Sequence, residues 1–217
     1  MSNQLRISPL KRIRFAPVAL LAGIFAAVLL SLSLTGTLSG FAASITNSSN
    51  TAAAGTLIMQ EQSANAGVTC LSTDGGSVST NAATCSTINK FGGSTTMTPG
   101  VTVNTPISIK NTGTAAASTF TLTPGATCTQ STPTAATGNA TDLCSKMNLV
   151  ITSGSTTVFS GTLASFKGAA ASAFTMPAAP AAGVSTPFNF AVTLDQSAGN
   201  SYQGLSASMP MTWTFTA

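Results

Sequence analysis

Beyond residue 43 the apolar positions recur at every second residue. In the run FNFAVTLD, Phe188, Phe190, Val192 and Leu194 share one face, while Asn189, Thr193 and Asp195 take the other. That period of two marks a half-buried strand. The C-terminal run SMPMTWTFTA repeats it, with Met209, Met211, Trp213 and Phe215 inward and Pro210, Thr212, Thr214 and Thr216 outward. Further strands are expected at 56–59 (TLIM), 101–110 (VTVNTPISIK), 118–123 (STFTLT), 147–151 (MNLVI), 156–163 (TTVFSGTL) and 171–176 (ASAFTM). Turn residues separate them at Pro99-Gly100, Asn111 to Gly113, Pro124-Gly125, Ser153-Gly154 and Ala198 to Asn200. Short strands punctuated in this way predict an all-β, antiparallel, jelly-roll-like sandwich. No stretch after residue 43 has the period of a long amphipathic helix. The stretches 64–95 and 126–146, rich in Gly, Ser, Thr and Asn, read as loops, and the Ala/Pro-rich 167–187 as an edge or linker.

The start of the chain has a different pattern. Arg6, Lys11, Arg12 and Arg14 precede an uncharged run from Ala16 to Leu34, and small residues follow it in TGTLSGFAA. Basic, apolar and small-residue regions in that order predict a secretory signal peptide over residues 1–42, helical in its apolar part. Cleavage fits after Ser39 or after Ala42. The rival reading is a retained anchor, since roughly 20 apolar residues span a bilayer; membrane contact is expected only through such an uncleaved leader. Residues 43–217 suit a single exported domain.

Charge sharpens this picture. The chain has 8 Lys+Arg against 4 Asp+Glu, but half of the bases lie in the leader. Lys90, Lys110, Lys146 and Lys167 balance Glu61, Asp74, Asp142 and Asp195, leaving the exported part formally neutral. Four dispersed lysines make no patch for phosphates, so nucleic acid is not an expected partner. There is no histidine in the 217 residues. Triads, Cys-His dyads and histidine zinc sites are therefore excluded. The four acids show no helical or turn spacing, so no catalytic group, cofactor site or metal site is expected.

The cysteines agree with export. Cys70, Cys85, Cys128 and Cys144 are even in number and form no C-x-x-C pair, which favours disulfides over zinc. Three connectivities are open. Cys70 with Cys85 and Cys128 with Cys144 is the favoured one, because each pair brackets one loop-like stretch. In the chain-entropy model a closed loop of roughly 15 residues contributes about 3 kcal/mol.

Three blocks carry a family resemblance. They are GTLSGF at 36–41 with NTAAAGTLIM at 50–59; TPGVTVNTPISIKNTGTAAASTFTL at 98–122, containing Pro99, Gly100, Asn111 and Gly113; and AGNSYQGLSASMPMTWTFTA at 198–217, containing Asn200, Tyr202, Gln203 and Gly204. In these the chain resembles the TasA/camelysin family of secreted bacterial proteins with a SipW-type signal peptide. The resemblance implies a jelly-roll subunit, cleaved by a dedicated signal peptidase and assembled into fibres of the biofilm matrix. It also implies an Asn-x-Gly hairpin after the second block's strand. The four cysteines and the scarcity of charge depart from the family pattern. Camelysin-type members are classed as metallopeptidases, but metal-assisted hydrolysis needs about three ligands and a base, which the residue types here do not supply.

Two functions from different classes follow: a fibre or matrix subunit that self-associates, or a monomeric cell-surface module binding polysaccharide or protein. For the first, the new N-terminus offers a donor strand whose Phe41, Ala43 and Ile45 would enter a partner's groove; the alternative for that segment is a disordered terminus. Trp213 is expected in the core on its phase with Met211 and Phe215, and Tyr202 is expected to pack on the sandwich edge with its hydroxyl on a backbone group.

Overall fold

A computed structural model describes residues 16–34, 43–64, 67–76, 80–133 and 136–217. The chain divides into two units, Met1–Ala52 and Ala53–Ala217. In the first, helix α1 (Ala16–Leu34) covers the uncharged run end to end. At 1.5 Å per residue it rises roughly 28 Å, just under the ~30 Å of a hydrocarbon core; among the described residues no helix is long and apolar enough to cross a membrane. Ser39, Phe41 and Ala42 lie outside the described residues. Ala43 and Ile45 precede any strand, and Ile45 is 92% exposed.

The second unit is an all-β sandwich. Its large sheet has six strands in the order β2 (Thr69–Leu71), β1 (Met59–Ser63), β3 (Thr102–Asn111), β9 (Ser185–Leu194), β6 (Met147–Ser153) and β7 (Thr156–Thr162). The small sheet is β11 (Met211–Thr216), β4 (Thr119–Pro124) and β8 (Phe174–Thr175). A ribbon of β10 (Ser206–Ser208) and β5 (Thr129–Ser131) stands apart. Every pairing is antiparallel.

Alternation places the core. Ile107 and Ile109 on β3, Phe188, Phe190 and Val192 on β9, and Leu149 and Ile151 on β6 are buried from the large sheet. Phe120 and Leu122 on β4 meet them from the small one. The rings of Phe120 and Phe188 pack edge-on at 5.7 Å. Two short helices, α2 (Leu143–Lys146) and α3 (Leu163–Gly168), add Leu143, Leu163 and Phe166 to the buried set. Thr162 caps α3 by accepting a hydrogen bond from the Ser165 amide.

Prolines sit inside both long central strands, where a missing N–H ordinarily breaks the ladder. Pairing with β1 reaches only Ile107 of β3, and pairing with β6 reaches only Asn189 of β9. Pro106 and Pro187 therefore fall where each strand has just lost its second neighbour, and no ladder bond is forfeited.

Several expectations need correction. The strand expected at 56–59 begins only at Met59 and runs on through the polar MQEQS. The strand expected at 171–176 shrinks to Phe174–Thr175. The loop-like cysteine stretches each contain a three-residue strand, β2 and β5. Asn111 to Gly113 is a corner between sheets, not a hairpin: β3 belongs to the large sheet and β4 to the small one. The Asn111 side chain is fully buried there, donating to the carbonyls of Ala115 at 2.8 Å and Pro180 at 3.2 Å and accepting from the Gly113 amide at 3.0 Å. The amides of Thr112 and Thr114 reach Ile58 and Thr56 across the corner. Gly113 is required by contact, since a Cβ would lie 2.2 Å from the Thr56 carbonyl oxygen.

Candidate functional site

The two disulfides are Cys70–Cys85 and Cys128–Cys144, the favoured pairing. They brace opposite features. The N-x-Y-Q-G turn explains what accompanies the second. Asn200–Tyr202 is a single 3-10 turn, and the carbonyls of Ser201 and Gln203 accept from the amides of Gly138, Asn139 and Ala140. Gln203 Oε1 accepts from the Thr137 hydroxyl at 3.2 Å. Gly204, at φ 73°, would press a Cβ to 2.8 Å from Ala136. Turn and loop are thus closed on each other beside the Cys128–Cys144 bridge. The Tyr202 hydroxyl donates not to a backbone group, as expected, but to Asp142 Oδ1 at 2.7 Å. That bond, then partial burial and the nearby negative charges of Asp142 and Asp195, hold its pKa above the ordinary 10.0.

Tyr202 is the one tyrosine in the chain, so its phenolate absorbance is a clean readout. The alkaline titration of the folded protein is expected to have its midpoint above that of the unfolded chain, and Asp142→Asn should lower it. With a raised folded pKa, the stabilisation is present below the unfolded value and lost as pH rises through the folded one. Identical midpoints in folded and unfolded protein would exclude the bond in solution.

The first disulfide borders a groove of about 620 Å³. One side is β11 and the residues before it: every residue from Met209 to Phe215 lines the space, inward- and outward-facing alike, and none of β4 does. The groove therefore runs beside the outer edge of β11, the end strand of its sheet. The five lining residues of β11, Met211 to Phe215, extend roughly 17 Å at about 3.3 Å each. The floor comes from Leu57, Met59 and Glu61, and the far wall from residues 81–85 and 88–91 with Cys70.

Burial follows from this geometry. Met211, Trp213 and Phe215 face inward as their phase predicts, yet all three are only half-buried. Trp213 packs on Phe188 at 4.6 Å and Phe120 at 5.4 Å, and its indole nitrogen is buried without a hydrogen-bond partner. The tryptophan is thus core filler on one side and groove lining on the other.

Glu61 and Lys90 were invisible as a site in the sequence, standing 29 residues apart. Lys90 Nζ lies 2.7 Å from Glu61 Oε1, and each side chain is about one-tenth exposed. The contact is ionic and not aligned as a hydrogen bond. Glu61 is brought there by β1, opposite Ile109 of β3 and Cys70 of β2; Lys90 is brought by the wall. A residue alternation of polar type in MQEQS gave no warning that its central acid would be buried.

Pro99 and Gly100 form the expected turn into β3: Gly100, at φ 81°, donates its amide to the Leu194 carbonyl at 2.8 Å. Among the described residues no group of three or more His, Cys, Asp or Glu side chains is placed to hold a metal ion. Asp195 is occupied by Ser197, whose hydroxyl and amide hydrogen bonds pull its carboxyl below the usual 3.8, with a smaller assist from Lys146. No known family profile matches this chain, and no curated protein matches it.

Proposed function

We propose that this protein is an exported structural subunit that self-associates into extracellular or cell-surface fibres, as a divergent relative of the TasA/camelysin family. The carrying observation is the groove beside β11, where a strand edge with no paired strand among the described residues adjoins half-buried Met211, Trp213 and Phe215. Such an edge, next to unfilled apolar space, suits an added strand: main-chain bonds supply affinity and alternate side chains fill the pockets. The natural donor is the segment after the leader of a neighbouring copy, with Ala43 and the exposed Ile45, preceded by Phe41, as the inserted residues. Added in this way, the strand extends the small sheet towards a jelly-roll-like sandwich.

Other features support the reading. Two disulfides suit an oxidising compartment, which agrees with export through a leader of residues 1–42 removed by a signal peptidase. The formally neutral exported chain opposes stacking of like subunits very little.

Deleting residues up to Asn50 should leave a folded monomer that forms no filaments by electron microscopy, with an unchanged denaturant midpoint. Filaments of unchanged length from the truncated protein would exclude the donor. A full-length mature protein that stays monodisperse under all conditions would favour instead a monomeric surface module using the same groove for polysaccharide or protein.

A further inference from the structure

The groove's two sides are built differently. The floor residues Met59 and Glu61, and β11, belong to paired strands. The far wall does not: 82–87 carry no helix or strand, and all but Cys85 are exposed. Among the described residues no main-chain hydrogen bond ties 82–87 to a strand. What fixes the wall is a short set of attachments. Asn81 donates from Nδ2 to the Leu57 carbonyl at 2.6 Å and accepts from the Ser72 hydroxyl. Cys85 is bonded to Cys70 on β2. Ile88 is buried in the core, and Lys90 meets Glu61 on β1. Among the described residues between Asn81 and Ile88 the disulfide is therefore the one covalent or main-chain tether to the sheet, and the side-chain contact beside it, the Thr87 hydroxyl on Cys70 Sγ at 3.5 Å, falls on the disulfide's own sulfur.

We propose that Cys70–Cys85 is the bond that builds the groove wall, with Glu61–Lys90 as the positioning pair at its end. Assembly then depends on this disulfide and not on Cys128–Cys144. The inference rests on the groove being the acceptor site, and it adds which residues make that site competent. Removing the bond frees Ala82–Cys85 to move away from the groove that Trp213 lines, while β3, β9, β6 and β4 keep their pairing and their buried side chains. Cys128–Cys144 lines no part of the groove; it holds the loop that the Tyr202 turn closes.

Trp213 is the chain's one tryptophan and lies in the groove, so its emission reports on the wall without any ligand. The mature protein with Cys70→Ser and Cys85→Ser is expected to show severalfold greater quenching of Trp213 by acrylamide than wild type, a single cooperative melt, and no filaments by electron microscopy. The Cys128→Ser/Cys144→Ser protein should keep wild-type quenching and filaments, with a lowered melting temperature. In that second protein dithiothreitol has only Cys70–Cys85 to reduce: two electrons and two protons pass to the pair, giving two thiols, and the dithiol closes into its own cyclic disulfide. Quenching should rise on reduction and fall again on reoxidation, which keeps the test decisive even if the first variant folds poorly. Unchanged quenching after loss of Cys70–Cys85 in both formats overturns the proposal. Wild-type protein that never forms filaments would overturn the fibre reading instead, while the quenching difference still decides what holds the wall.

Discussion

Replacing Phe120 with Ala should cost about 3 to 5 kcal/mol, the range for truncating a large buried aromatic. Phe120 is 1% exposed and lies at the centre of the contact between the sheets. Its ring meets Phe188 of the large sheet at 5.7 Å, and Trp213 and Phe215 of its own sheet at 5.4 and 4.8 Å. Few residues are in a position to refill the space, because the side chains around it come from long strands whose register is fixed by pairing. Phe188 and Phe215 also lose their edge-on partner, a contribution of about 0.5 to 1.5 kcal/mol per pair. Urea unfolding followed by circular dichroism measures the change. A midpoint within error of wild type would mean that the sheets do not meet at this ring.

The second large effect is expected at Asn111. Asn111→Ala removes a side chain with no exposure, strands the carbonyl of Ala115 and the amide of Gly113, and leaves the Pro180 carbonyl with only the Ala117 amide. Each buried polar group left unmade costs about 1 to 3 kcal/mol, so the loss should rival that at Phe120, although no apolar packing is removed. Asn111→Asp keeps the acceptor but not the donor, and should recover only the bond from Gly113. Equal stability of Asn111→Ala and wild type would show that water replaces the lost bonds. This corner also ties the segment before β1 to the end of β3, so its loss is expected to expose the Thr112 and Thr114 amides to early hydrogen exchange.

The contrast between these two residues runs through the whole molecule. Local pattern sufficed where a strand is long and has one apolar face. The phase of Phe188, Phe190, Val192 and Leu194 is the phase of burial in β9, and the apolar run Ala16–Leu34 is the helix α1. The cysteine pairing was legible too, because each bridge spans one stretch with too few large apolar residues to hold itself in place.

Pairing between distant segments left no such local trace. The polar MQEQS is a strand because β3 and β2 supply its hydrogen bonds on both sides, and main-chain bonding is indifferent to side-chain polarity. Asn-x-Gly has the composition of a hairpin, yet it turns a corner, since the partners that fix it include Thr56 and Ile58 and, 69 residues from Asn111, Pro180. Tyr202 found Asp142 through the closing of two loops. Period and composition thus determined which residues face inward, an all-β fold and the spacing of its turns. The groove beside β11, its tethered wall and the Glu61–Lys90 pair were decided only by tertiary structure, because an open edge is a property of which strands fail to find a neighbour.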